Sequence, residues 1–94
     1  EEENLMDAFL LVIFIIVGVA GLIFQVEAGV FIGLSLAPWQ IIKLELGKKI
    51  SLYVIILSTI IGSIYFISIS RWLLFLLYLL VESYNYWGYK KTYS

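Results

Sequence analysis

The chain has 94 residues, a net charge of −1, 63% apolar residues and neither Cys nor His. Ordinary soluble domains are roughly 45–50% apolar, and a chain this short has too little interior to hide such an excess from water, so its solvent is lipid or other copies of itself. The absent Cys excludes disulfides and thiolate metal sites, the absent His removes the commonest general base and metal ligand, and the net charge makes no case for nucleic-acid binding.

The chain opens on Glu1, Glu2, Glu3, Asn4 and Asp7. Such residues suit a helix N-terminus, where the dipole favours negative charge. A start at Glu rather than Met is read as a processed precursor or as a trimmed chain. Ala8–Phe24 carries no charge and is about as long as the shortest bilayer-spanning helices. Gln25 and Glu27 interrupt it, and apolar sequence resumes over Ala28–Ile42, with Pro38 expected to kink or end a helix. Lys43, Glu45, Gly47, Lys48 and Lys49 form a charged patch where the chain reverses, Gly47 being a natural turn residue. Ile50–Ser70 is uncharged and gives a strong transmembrane signal. Arg71 interrupts, Trp72–Val81 is apolar again, and Glu82 begins a Tyr-rich tail.

The preferred organisation is all-α: one hydrophobic, membrane-type hairpin of two long helices. Helix 1 runs over about 4–42, the basic turn over 43–49, helix 2 over about 50–83 and an aromatic, basic tail over 84–94. Each helix would be on the order of 50–60 Å long, beyond a hydrocarbon core of about 30 Å. The alternative has three separate segments, Ala8–Val26, Ala28–Ile42 and Ile50–Ser70, with Trp72–Val81 in the interface. The positive-inside rule puts Lys43, Lys48 and Lys49 in the cytoplasm, with the N-terminus and Lys90 and Lys91 outside.

A row of mostly small residues recurs every four positions on helix 1, at Gly21, Gln25, Gly29, Gly33 and Ala37, and Gly29–Gly33 is a GxxxG that lets backbones approach in lipid. Helix 2 has a counterpart row in Ser51, Ser58 and Gly62. The rows mark a helix-packing seam, within the hairpin or between subunits, unless they reflect only the abundance of Gly and Ser in membrane helices. Glu27 and Arg71 are isolated charges in apolar sequence. They either pair, despite a register offset of roughly 10 Å on straight helices, or snorkel separately to a membrane boundary. A proton-carrying role for Glu27 is a further reading. Lys43, Lys48 and Lys49 offer a surface to lipid headgroups or to a passing nucleic-acid backbone, or are an ordinary solvated turn. Tyr84, Tyr86, Trp87 and Tyr89 form an interfacial aromatic anchor, with Lys90 and Lys91 facing headgroups. No nucleophile–base arrangement or phosphate loop is present, so no catalytic, cofactor or metal residues are assigned and the chain is read as a non-enzyme.

The acidic start at Glu1, the two apolar helices and the basic turn Lys43–Lys49 resemble the mature pilins of conjugative, type IV secretion pili and their archaeal relatives in DNA-import pili. The resemblance implies a helical tube of identical subunits with bound phospholipid or another membrane lipid. It also implies Lys43, Lys48 and Lys49 on a lumen that passes single-stranded DNA, and secretion machinery as a partner. The protein would then sit in the cell membrane or in an extracellular appendage assembled from it. Coat proteins of spindle-shaped archaeal viruses are similar in pattern, including a basic, Tyr-containing end like Tyr89–Tyr93. A small accessory subunit of a membrane complex and a holin-like pore former are the remaining readings.

Overall fold

The computed structural model describes the backbone of residues 2–93 and the side chains of residues 5–93. The acidic cluster at Glu1–Asn4 therefore lies outside the described side chains. Four helices follow one another: α1 (Glu2–Phe24), α2 (Glu27–Leu44), α3 (Lys48–Ser68) and α4 (Trp72–Tyr93). At 18 to 23 residues each they are about 27–35 Å long, which matches one bilayer core. The expected hairpin of two long helices is thus two short hairpins in series, and the expected tail at 84–94 is the end of α4.

Both extra reversals have the same cause. Gln25 (φ 56°) and Ser70 (φ 59°) adopt the left-handed conformation. One residue later, the Val26 N–H donates to the Gly21 carbonyl at 2.9 Å and the Arg71 N–H to the Phe66 carbonyl at 3.0 Å. A left-handed residue followed by this six-to-one bond is the Schellman helix ending. Neither left-handed residue is Gly, although a side chain there costs roughly 1–2 kcal/mol. Glu45 (φ 54°) ends α2 in the left-handed region, and Gly47 (φ 144°) leads into α3. Pro38 does not end its helix: α2 runs through it to Leu44, and the ring is buried.

The helices run up, down, up, down. Gly21 of α1 meets Gly29 and Val30 of α2, and Asp7 near the start of α1 meets Lys43 near the end of α2. Tyr78 and Glu82 of α4 meet Gly62 and Ser58 of α3. Helix α2 is central and packs against the other three, whereas α1 packs mainly on α2. The upper core is Val30, Phe66 and Tyr78, tied by edge contacts of Phe31 to Phe66 (6.1 Å) and to Tyr78 (5.8 Å). The lower core is Ile42, Ile55 and Tyr89.

Polarity is inverted relative to a water-soluble bundle. Ser35, Gln40, Ser51, Ser58, Glu82 and Asn85 are buried, while Phe9, Ile16, Ile23, Ile64, Leu73 and Leu80 are among many large apolar side chains left exposed. Helices α1, over Leu5–Phe24, and α3 are each long and apolar enough to cross a membrane.

Candidate functional site

Five polar side chains, Ser58, Thr59, Tyr78, Glu82 and Asn85, converge at one level, whereas the buried Gln40 Oε1 and Ser51 Oγ lie apart from them without a hydrogen-bond partner. On α3 the buried positions are Ser51, Ile55, Ser58, Gly62 and Phe66, and on α4 they include Tyr78, Glu82, Asn85 and Tyr89. Both sets follow the three- and four-residue spacing of a single helix face, so the two faces meet along their length. Ser58 is ten residues from either end of α3, about 15 Å. Glu82 sits at the corresponding midpoint of α4 and is only 3% exposed.

Around the Glu82 carboxylate, Oε2 lies 2.8 Å from Ser58 Oγ, 3.1 Å from Thr59 Oγ1 and 3.1 Å from the Tyr78 hydroxyl. Oε1 accepts from Asn85 Nδ2 at 2.8 Å, and the same amide donates to the Ser35 carbonyl of α2, also at 2.8 Å. Each hydroxyl has a second acceptor on the backbone of α3. Ser58 reaches the Val54 carbonyl at 2.7 Å, Thr59 reaches the Ile55 carbonyl at 2.7 Å, and the Tyr78 hydroxyl donates to the Ser58 carbonyl. The Tyr78 ring lies where Gly62 has no side chain, and a Cβ at position 62 would fall on it. Three helices are thereby joined through one carboxyl group.

The other expected residues distribute as follows. Gly21, Gly29 and Gly33 face α1–α2, where a Cβ on Gly33 would overlap the Gly18 backbone and one on Gly21 would lie 2.6 Å from the Val30 nitrogen. Ala37 is buried on the same helix. Ser58 and Gly62 face α4 instead, so the two small-residue rows serve different hairpins and do not form one seam. Gly18 completes the first row, and neither Gly18 nor the centre at Glu82 stands out from sequence spacing alone.

Glu27 Oε1 lies 2.6 Å from Arg71 Nε, with both side chains partly exposed. The attraction is one of charge, since this oxygen has no hydrogen bond of good geometry. The 10 Å offset expected of straight helices vanishes because α3 ends at Ser68 and the turn carries Arg71 to the start of α2. Such a partly exposed pair contributes about 0–1 kcal/mol.

The lysines gather at the opposite end. Lys48 and Lys90 line one cavity, and Lys43 and Lys91 line another. The expectation that Lys90 and Lys91 lie across the membrane from the basic turn is therefore corrected, because the two extra reversals bring both helix α4 and the start of α1 back to that end. Of the aromatic anchor, Tyr84, Tyr86 and Trp87 are exposed, Tyr84 stacks on Trp39 at 5.6 Å, and Lys91 lies over Trp87 at 5.0 Å. Tyr89 is not an outward anchor: the helix turns it inward against Ile42 and Ile55.

Among the described residues no cluster of three or more acidic, His or Cys side chains could hold a metal. No protein-family model matches the chain, and no curated protein or solved structure is detectably similar to it.

Proposed function

We propose that the chain is a non-catalytic, membrane-embedded structural subunit whose four helices cross the bilayer with the lysine end in the cytoplasm. The observation that carries this reading is the inverted polarity: a hydrogen-bonded carboxyl group and its polar partners inside, Ile, Leu and Phe outside. In water that arrangement would expose apolar surface and bury polar groups, both unfavourable; in hydrocarbon it satisfies each. Helix lengths near one bilayer core support it, as does the clustering of lysines. Lys48 and Lys49 in particular sit in the first turn of α3, where the helix dipole disfavours positive charge by about 0.3–1 kcal/mol each, so helix capping does not explain them.

The test uses the absence of Cys. Single cysteines at Lys49, Lys91 and Arg71, in protein inserted into cells, should be labelled by a membrane-impermeant maleimide from one side for the first two and from the other for the third. The protein should resist extraction by alkaline carbonate. Extraction, or labelling of all three from one side, overturns the placement.

Self-assembly with lipid, as in a pilus, is a second reading. It is favoured by α1, which packs mainly on α2 and leaves Leu5, Phe9, Val12, Ile16 and Ile23 exposed. In that reading the five lysines gathered at one end would face the lumen or the headgroups. Electron microscopy of native material decides it: uniform tubes support a pilus, closed particles a viral coat, and monodisperse single bundles remove both.

A further inference from the structure

The hydrogen bonds around Glu82 can be arranged in two ways, one for a charged carboxylate and one for a protonated acid. Asn85 satisfies Oε1. Oε2 faces three hydroxyl oxygens, each with a single proton, and each hydroxyl also has a backbone carbonyl within reach. With those three protons on the Val54, Ile55 and Ser58 carbonyls, Oε2 is left among oxygen lone pairs with no donor. A proton on Oε2 completes the set by donating to Ser58 Oγ. No cation compensates a charge there. From α3 the facing groups are Ser58 and Thr59, from α2 the Ser35 carbonyl through Asn85, and from α4 itself Tyr78. The ion pairs among the described residues are Lys43–Asp7 and Arg71–Glu27, at opposite ends, and Lys90 is two turns along α4, about 12 Å away.

The site also has a way out. A groove of about 370 Å³ between α3 and α4 reaches Glu82 and Thr59 and is walled by Ile55, Ile56, Ile60 and Leu79, with the polar Ser83 and Tyr86 of α4 also lining it. Ile56 and Ile60 are exposed on the outer face of α3, so the groove opens sideways, at mid-depth.

We propose that Glu82 is a proton-binding site in the middle of the membrane, holding its proton on Oε2 and exchanging it with water that enters the groove between α3 and α4 past Ser83 and Tyr86. On release of the proton the Ser58, Thr59 and Tyr78 hydroxyls have only to rotate from their backbone acceptors to the carboxylate, so the site has two hydrogen-bonded arrangements on one backbone. The proposal rests on the bilayer placement, and its test is arranged so that the two fail separately.

The wild-type protein and Glu82→Gln are reconstituted in phosphatidylcholine vesicles, and retention after carbonate washing is checked for both. Infrared spectra should show a protonated-acid carbonyl band in the wild type that shifts in D2O and is lost in Glu82→Gln. Dicyclohexylcarbodiimide, which partitions into lipid, should modify Glu82 and spare the turn residue Glu45. The acid O–H adds across a C=N bond, its proton going to nitrogen, and the adduct rearranges to an N-acylurea with nothing released. Identical spectra for the two proteins, both retained in vesicles, overturn the proposal alone. A band that ignores D2O with no adduct at Glu82 overturns the exchange route. Loss of both proteins on carbonate washing overturns the placement beneath it.

Discussion

Substituting Gly33 by Ala should separate α1 from α2. The added Cβ would overlap the backbone nitrogen and Cα of Gly18 and lie 2.7 Å from the Phe14 carbonyl oxygen. All three are backbone atoms, so no rotamer change relieves the contact and α1 must move as a body. Overpacking of this kind costs about 1–3 kcal/mol, and the gain in helix propensity from Gly to Ala offsets about 1 kcal/mol of it. The net expectation is destabilisation by up to about 2 kcal/mol, or up to roughly 30-fold in the folding equilibrium. Gly88→Ala is the control: its Cβ would meet only Trp39 Cζ3 at 3.5 Å, an ordinary contact, so the protein should be unchanged or slightly stabilised. Unfolding by sodium dodecyl sulfate in mixed micelles, followed by circular dichroism, measures both. If the two variants unfold at the same detergent fraction, α1 does not lie on α2 as described and the glycine contact is refuted.

Gln25→Gly and Ser70→Gly should each stabilise the protein by about 1 kcal/mol, because each removes a side chain from a left-handed position; a loss of stability in the same micelle titration would mean that the chain does not reverse there. Gly62→Ala should displace the Tyr78 ring, raise the rate of backbone hydrogen exchange in α3 and α4, and leave α1 and α2 protected; uniform deprotection would contradict the two-hairpin construction. Arg71→Ala should cost no more than about 1 kcal/mol, and less at high salt, as expected for a partly exposed pair; a double-mutant cycle with Glu27→Ala reads the coupling, and a value well above that bound would place the pair deeper than described.

What was legible in the sequence was element type, not connectivity. Uncharged runs such as Ile50–Ser70 mark helix by length and composition, and the structure is helical there as far as Ser68. The reversals at Gln25 and Ser70 were hidden because the usual signal for a left-handed helix end is Gly, and both places hold a residue with a side chain. Ser70 even lies inside an uncharged run that reads as continuous. Without those reversals Glu27 and Arg71 look out of register and Lys90 looks remote from Lys48. The same error concealed the centre. Glu82 marks the end of an apolar stretch when α4 is taken to stop at 83, whereas in a helix reaching Tyr93 the spacing of Tyr78, Glu82, Asn85 and Tyr89 is a buried face. Ser58 was visible as a small residue, but its partner was not, because a hydroxyl's acceptor depends on which helix lies opposite.

The two hairpins hold together by different physics. In lipid, apolar side chains gain nothing by leaving solvent for each other, so helices associate through close packing or interhelical hydrogen bonds. Between α1 and α2 the contact is close packing: Gly18 on Gly33 and Gly21 on Gly29 let the backbones touch, and no ionisable side chain lies between these helices at mid-depth. Between α3 and α4 the contact is polar, with Glu82 held among the Ser58, Thr59 and Tyr78 hydroxyls, and interhelical hydrogen bonds are worth on average about 0.6 kcal/mol each in a membrane. At mid-depth, only the second seam contains, among the described residues, a group whose charge can change, and α2, bonded to it through Ser35 and Asn85, is the helix against which α1 rests. Truncating Asn85 to Ala should therefore loosen α2 from α4 while leaving the α1–α2 glycine contact intact. Hydrogen exchange resolved by helix would show this as deprotection of α4 and retained protection of α1. Loss of protection in α1 instead would mean that the first hairpin depends on the polar centre, and that the two seams are one.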